Sequence, residues 1–251
     1  MNSIRREEIK KFIEKNSIVS LKELAAEFSN VSVMTIHRDL DALEDEGVIV
    51  RVRGGAKIAH ESQEKEPAFE MREDVNREAK EIIAKKAVDF IKSGSAVFLD
   101  AGTTTMALAK AIPDINVSVV TSGPNIALEV SNKANPIVSV CGGTLNRSNL
   151  TLSGSSAIEM LSKINIDVAF LVASGYSHEG GFTCGRESEA YVKRTVANKA
   201  RTVILLMDTS KINKMLPFTF ADLSDINYII SDNPLPKDIV MAAGKAGVNI
   251  L

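Results

Sequence analysis

Six short apolar runs constrain what this chain can fold into more than anything else in it. AVFLD (96–100), VSVVTS (117–122), IVSVCGG (137–143), DVAFLVASG (167–175), TVILLMD (202–208) and YIISD (228–232) are apolar without alternation, and each ends in small or polar residues. A strand wetted on one face alternates, whereas one buried on both faces does not. Amphipathic stretches separate most of the runs. The stretch ahead of the first run, NREAKEIIAKKAVDFIKSG (76–94), puts Ile82, Ile83, Ala87, Phe90 and Ile91 on one side and stops at Gly94. Strand and helix repeated in this way predict an open, mostly parallel α/β sheet with helices on both faces.

The bulk properties narrow the classes. A chain of 251 residues suits one large domain, or a small one joined to a medium one, and 45% apolar residues suffice for a core. No apolar run approaches the ~20 residues that span a bilayer. The opening MNSIRREEIKKFIEKN lacks the apolar segment of a signal peptide, so a cytoplasmic protein with no membrane partner is expected. Cys141 and Cys184 lie far apart and form no metal-ligand spacing. They read as two reduced thiols, with no metal site and no cofactor expected. A net charge of −2 neither requires nor excludes nucleic acid, because a local patch is what binds phosphate.

Residues 1–58 read differently from residues 75–251, and HESQEKEPAFE (60–70) between them is polar, charged and broken by Pro67. The expected division is a first domain over 1–58, a linker over 59–74 and a second domain over 75–251. In the first, SLKE (20–23) fits a capping box, with Leu21, Leu24, Ala25 and Phe28 on one face of the helix that follows. Ser32 then caps a second helix running to about Glu46, stopped at Gly47, with Val33, Ile36, Leu40 and Leu43 inward and Met34, Arg38 and Asp41 outward. An earlier helix around Ile9, Phe12 and Ile13 completes a helix-turn-helix. VIVRVRGGAKI (48–58) alternates apolar and basic residues, which predicts a two-stranded wing turning at Gly54-Gly55. Residues 1–58 hold ten basic and ten acidic side chains, but Arg51, Arg53 and Lys57 of the wing have no acid among them. Two readings follow: a DNA-binding winged helix-turn-helix, or a three-helix interaction module with a solvated charged face.

Residues 5–58 resemble the DNA-binding domain of the DeoR family of bacterial transcriptional regulators, in RREEIKKFI, VSLKELAAEF, VSVMTIHRDLDALEDEGVI and the closing RVRGGA. The resemblance implies operator DNA as partner, with Ser32, Thr35, His37 and Arg38 near the groove and Arg51 and Arg53 on the phosphate backbone. The chain departs from the family pattern twice, carrying His37 where the motif has an arginine and Arg53 where the wing ends in histidine. The resemblance also implies an oligomer of identical chains reading related half-sites, spaced by about 10 bp or a multiple.

In the second domain the loops after the strands are small and polar. FLDAGTTT (98–105) leads a strand into a helix through glycine and three threonines, the pattern of a phosphate cradle or of a plain helix cap. Thr121, Ser122, Asn125, Gly142, Gly143, Gly154, Ser174, Gly175, Asp208 and Lys211 also fall at strand ends. Ligands of open α/β sheets bind there, so one hydroxyl-rich anionic ligand, such as a sugar phosphate, fits. This half resembles the DeoR-family sensor domain in FLDAGTTT, VVTSGPN, CGGTLNRSNLTLSG, EAYVKRTVANKA and LLMDTSK. The resemblance implies that a phosphorylated sugar or related metabolite controls the grip on DNA, and hence a repressor of sugar or sugar-phosphate metabolism genes. It assigns the phosphate to Asp100, Gly102, Thr103, Thr104 and Thr105, the cations to Lys193 and Lys211, and the sugar hydroxyls to Asp208, with a solvated helix lysine as the alternative reading of Lys193.

The same half resembles the ribose-5-phosphate isomerase-like fold at a distance, which leaves a sugar-phosphate isomerase with a DNA-binding appendage as the alternative. An isomerase carries Asp-Gly-Ala-Asp-Glu where this chain reads Ser174-Gly175-Tyr176-Ser177-His178, and a glutamate where Val192 precedes Lys193. Moving a proton between carbons needs a base, so no catalytic residue and no enzyme activity are expected.

Overall fold

A computed structural model describes residues 2–16, 18–29, 31–45, 48–52, 54–58 and 68–251. The chain forms two compact units, Met1–Gln63 and Glu64–Leu251. Gly47, Arg53, the side chain of Lys57 and the 59–67 part of the expected linker lie outside the described residues.

The first unit runs α1 (Asn2–Asn16), β1 (Ile18–Ser20), α2 (Leu21–Glu27), α3 (Val33–Asp45), β2 (Ile49–Val52) and β3 (Gly55–Ile58). The capping box starts α2 as its sequence demands: Glu23 N–H donates to Ser20 Oγ at 3.2 Å, and Ser20 N–H donates back to Glu23 at 2.7 Å. Ile9, Ile13, Leu24, Ile36, Leu40 and Leu43 close the core. Val33, expected in that core, is 50% exposed, because it opens α3 one turn before the cover begins at Ile36. The expected two-stranded wing is a three-stranded sheet of order β1-β3-β2. β1 was not expected, being three residues long. Its close approach explains Gly55, where a methyl group would stand 2.2 Å from the Val19 carbonyl oxygen.

The second unit begins with α4 (Phe69–Glu73) and α5 (Arg77–Ala87). Then follow β4 (Ala96–Leu99), α6 (Thr103–Ala111), β5 (Ser118–Thr121), α7 (Pro124–Val130) and β6 (Ile137–Val140). A hairpin, β7 (Thr144–Asn146) and β8 (Thr151–Ser153), leads to α8 (Ser155–Ser162) and β9 (Val168–Val172). Next come β10 (Gly175–Ser177), β11 (Gly181–Cys184), α9 (Glu187–Lys199), β12 (Thr202–Leu206) and β13 (Phe218–Ala221). The chain closes with β14 (Tyr228–Ile230), α10 (Lys237–Lys245) and β15 (Asn249–Ile250).

Seven strands form one sheet in the order β15-β14-β12-β9-β4-β5-β6, every neighbouring pair parallel. The six expected strands are all in it. Val97, Leu99, Phe170 and Ile204 pack on one face, and Phe98, Ala169, Leu171 and Leu205 on the other, which is why the runs do not alternate. The chain proceeds from β4 outward to β5 and β6, and from β9 in the opposite direction through β12 to β15. The order therefore reverses between β4 and β9, and a crevice opens at their carboxyl ends. The antiparallel β10-β11-β13 sheet, the β7-β8 hairpin and the edge strand β15 were not expected.

Residues 69–73, expected within a linker, are the helix α4 and belong to the second unit. Phe69 is buried in its core and donates its N–H to the Ser148 carbonyl at 2.8 Å. The expected helix over 76–94 is α5 followed by a single 3-10 turn, Val88–Phe90.

Candidate functional site

The first unit presents α3. Ser32 caps it, accepting the Thr35 N–H at 3.2 Å, with the two hydroxyl oxygens 2.9 Å apart. Val33, Met34, Arg38 and Asp41 are exposed, while Thr35 and His37 are partly so. Asp39, between them in sequence, turns inward and is buried, where Arg5 Nε donates at 2.5 Å and Arg6 Nε at 3.3 Å. An unpaired carboxylate there would cost several kcal/mol, so the Arg-Arg of α1 anchors α3 to the unit's core.

Arg51, expected to lie on a phosphate backbone, is hydrogen-bonded to α3 in the structure. Its Nη1 donates to Asp41 Oδ1 at 2.8 Å, its Nη2 meets His37 Nδ1 at 3.0 Å, and its backbone N–H donates to Glu44 Oε1 at 2.9 Å. The wing has no acid of its own, but the helix beside it supplies two.

In the second unit a buried network lies where β4 and β9 end. Asp100 accepts the Val172 N–H at 3.0 Å, the Ala101 N–H at 2.9 Å and the Lys193 ammonium. Lys193 also donates to the Val172 carbonyl at 3.0 Å and pairs with Glu189, one turn earlier on α9, at 3.1 Å. Its ammonium lies 5.3 Å from the centre of the Phe220 ring. Burial alone would lower the Lys193 pKa, but the Asp100 and Glu189 carboxylates outweigh it and raise it. Glu189 is held from its other oxygen by the Asn149 amide at 3.2 Å.

A cavity of about 480 Å³ opens in the crevice. One wall is the start of α6, with Ala101, Gly102, Thr103 and Thr104. The first-turn amides of a helix have no intrahelical partner, and its dipole favours an anion there. Val172 at the end of β9, Ala173 and Ser174 after it, and Asp208 and Lys211 after β12 form the next walls, with Asn149 and Glu189 beside them. Lys214 and Leu216 come from the loop before β13, Met71 and Arg72 from α4, Lys80 from α5, and Val75 and Asn76 from the turn between those helices. The buried Lys80 donates to the carbonyls of Arg72, of Glu73 at 3.3 Å and of Val75 at 2.6 Å, closing the end of α4. Its pKa is lowered, chiefly by burial, with Lys211 and Arg72 adding to the effect and Asp208 opposing it. Asn76, at φ 53°, donates to Asp208 and Ser210, each at 3.2 Å. Four cationic side chains thus line the cavity against two carboxylates, and both carboxylates already accept hydrogen bonds.

Of the residues expected around a ligand, Gly102, Thr103, Thr104, Asp208 and Lys211 line this cavity. Asp100 and Lys193 do not, because each is 1% exposed and pairs with the other. Thr105, Thr121 and Ser122 are buried in local bonds: Thr105 to the Gly102 carbonyl, Thr121 to the Gly123 N–H, Ser122 to the Ala101 N–H. Asn125, Gly142 and Gly143 are not brought to the cavity wall. Arg72, Lys80, Lys214, Asn149 and Glu189 were missed. For Lys80 a signal was present, since it shares a helix face with Ile83, Ala84 and Ala87, an apolar position occupied by a lysine. Among the described residues, no group of three or more His, Cys, Asp or Glu is placed to hold a metal ion, and no helix is long and apolar enough to cross a membrane.

A family model described as the DeoR C terminal sensor domain matches residues 75–233, and one described as a DeoR-like helix-turn-helix domain matches residues 5–62. The HTH-type transcriptional regulator GlpR of Haloferax volcanii is 37% identical over 221 residues, covering 88% of this chain and 86% of that protein. The HTH-type transcriptional repressor GlcR of Bacillus subtilis is 33% identical over 240 residues, covering 96% and 92%. Ribose 5-phosphate isomerase A of Methanocaldococcus jannaschii superposes with a TM-score of 0.41 at 17% identity, over 55% of each chain.

Proposed function

The chain belongs to the DeoR family of transcriptional regulators, and from that membership we propose a repressor of sugar or sugar-phosphate metabolism genes, its grip on operator DNA controlled by a phosphorylated sugar. The observation that carries the ligand class is the meeting of the α6 N-terminus, with Thr103 and Thr104, and the cations Arg72, Lys80, Lys211 and Lys214 in one cavity. A dianionic phosphate uses the free amides, the hydroxyls and the Lys211 and Lys214 ammonium groups together, while Lys80, whose protons go to carbonyls, adds only its charge. A cavity of about 480 Å³ suits a small ligand, as such pockets run from roughly 300 to 1,000 Å³. Glu189 and Asp208 accept hydroxyl groups from the rest of the molecule.

The same geometry supports binding without turnover. Glu189 is engaged by Lys193 and Asn149, and Asp208 by the Ser210 N–H and hydroxyl and by Asn76. Carboxylates so occupied orient a substrate's hydroxyls rather than accept its carbon-bound protons. On this reading the protein works in the cytoplasm as an oligomer of identical chains, each first unit taking one half-site.

A thermal-shift panel tests the reading, setting phosphorylated sugars beside their unphosphorylated parents and inorganic phosphate. Ligand at ~100 times its Kd stabilises the native state by about 2.7 kcal/mol, which the melt resolves. The expected result is a shift with a phosphosugar, none with its parent, and loss of the shift in the Thr103→Ala, Thr104→Ala double variant. A shift that survives the double variant puts the phosphate elsewhere.

A further inference from the structure

The contacts that draw the wing onto α3 fix the chemical form of one side chain on the helix's outer face. A guanidinium donates hydrogen bonds and accepts none. With Arg51 Nη2 3.0 Å from His37 Nδ1, that ring nitrogen is the lone-pair acceptor, and the proton of the neutral ring sits on Nε2. Two further contacts hold Arg51 in this position. Asp41, one helical turn after His37, takes its Nη1 at 2.8 Å, and Glu44 takes its backbone N–H at 2.9 Å. The guanidinium is therefore bracketed by two side chains of the same helix and strapped at the strand behind it. His37 itself remains partly exposed, between Met34 and Asp41 on the outward side.

We propose that His37 determines specificity by presenting a fixed Nε2–H donor to a guanine edge in the major groove, and that Arg51 is its positioning residue rather than a phosphate contact. The inference rests on α3 being the helix that enters the groove. Guanine is the base whose major-groove edge offers two adjacent acceptors, N7 and O6, whereas adenine sets an amino donor beside its N7, thymine a methyl group beside its O4, and cytosine offers only an amino donor, so guanine matches a fixed N–H best. An arginine at position 37 would make the same contact with two donors and a longer reach. It would also place a second cation against Arg51, so the histidine and the strapped arginine belong together.

The full chain is first used to select its preferred duplex from a randomised pool, and the selected site is then titrated by fluorescence anisotropy. The expected site has a guanine in each half whose requirement disappears in His37→Ala. Replacing that guanine by 7-deazaguanine weakens the wild type about fivefold to tenfold and leaves His37→Ala unchanged, as one lost base contact predicts. Arg51→Met lowers the ratio of selected-site to scrambled-duplex affinity by a similar factor while the salt slope stays as it was. If instead Arg51→Met weakens both duplexes equally and reduces the salt slope by about one, Arg51 is a phosphate contact and the inference falls. An unchanged guanine preference in His37→Ala overturns it as well. A wild type that enriches no sequence removes the recognition-helix reading, and this inference with it. Independently of any variant's folding, ¹⁵N spectra of histidine-labelled wild type at pH 8 distinguish the two ring nitrogens. His37 is expected with its proton on Nε2, and a proton on Nδ1 overturns the assignment.

Discussion

Arg51 with Asp41 in the first unit, and Lys193 with Asp100 in the second, are both cation–carboxylate pairs within hydrogen-bonding reach. The first has side chains 25% and 64% exposed, and the second 1% and 1%. The pair at the surface adds little to stability, and its worth lies in holding Arg51 beside His37. The buried pair cannot be exchanged without leaving a charge stranded, and it sets the backbone of Val172 and Ala101 at the edge of the cavity. The same two kinds of group thus orient a side chain at the surface of one unit and fix buried backbone in the other, and burial decides what each is worth to stability.

The largest expected effect comes from breaking the buried pair. Lys193→Met keeps most of the volume but leaves Asp100 and Glu189 without their cation, and loss of one member of a buried pair costs about 3–5 kcal/mol. Urea unfolding followed by a probe in the second unit is expected to show a loss of that size, with no loss in the first unit. A loss below about 1 kcal/mol would mean that the pair is wetter than its geometry implies.

Next come two of the crowded glycines, one from each unit. A methyl at Gly55 meets the Val19 carbonyl oxygen at 2.2 Å, and one at Gly102 meets a Val172 methyl at 2.8 Å. Backbone held in a sheet yields less than a side chain does, so Gly55→Ala is expected to destabilise its unit by about 1–3 kcal/mol or more, and Gly102→Ala by less. Gly102→Ala is nevertheless the variant expected to lose the phosphosugar shift, since the displaced atoms belong to the cavity wall. Paired melts of the two variants with and without ligand check both halves of the statement.

The second unit's thiols give a smaller, pH-dependent effect. Burial pushes Cys141 up to about 11 and Cys184 up to about 12, from an ordinary value of 9.0. A thiol whose folded pKa is raised favours the folded state fully below pH 9 and loses that contribution as pH rises through 9 toward 12, because only the unfolded chain ionises. Stability of the second unit is therefore expected to decline from about pH 9 upward, and less steeply in Cys184→Ala. At pH 8 a disulfide reagent is expected to label both thiols only on unfolding, so prompt labelling of the native protein would contradict their burial.

What could be read in the sequence, and what could not, follows the same division. The sheet was legible because burial on both faces leaves an uninterrupted run of Val, Ile, Leu and Phe, and Gly102-Thr103-Thr104 were legible because a loop entering a helix is local. The remaining cavity residues were not, since Arg72 lies on a five-residue helix that reads as linker and Lys214 on a loop with no pattern. Glu189 and Lys193 did carry a signal, because they alternate with Val192 and Val196 on the buried face of α9. Charges at core spacing mark a buried pair before they mark a ligand contact. The wing was legible only in part. Its alternation placed Arg51 outward correctly, but three-dimensional proximity to Asp41 and Glu44 decided what it meets.

The smallest expected effect on stability is at the surface pair, and it sharpens the comparison most. An exposed ion pair contributes about 0–1 kcal/mol, so Asp41→Asn is expected to change the melting of the first unit little. Its consequence for DNA is larger, because Asp41 is a negative charge on the outward side of α3 and the counter-charge that keeps Arg51 beside His37. Removing it relieves repulsion from the phosphates and frees Arg51 to seek them. Binding to a scrambled duplex is therefore expected to tighten and its salt slope to steepen by about one, while the selected site gains less, so that the ratio between them falls. Were Asp41→Asn to tighten both duplexes by the same factor, the acid would act only through its charge, and the strap on Arg51 would contribute nothing to how sequence is read.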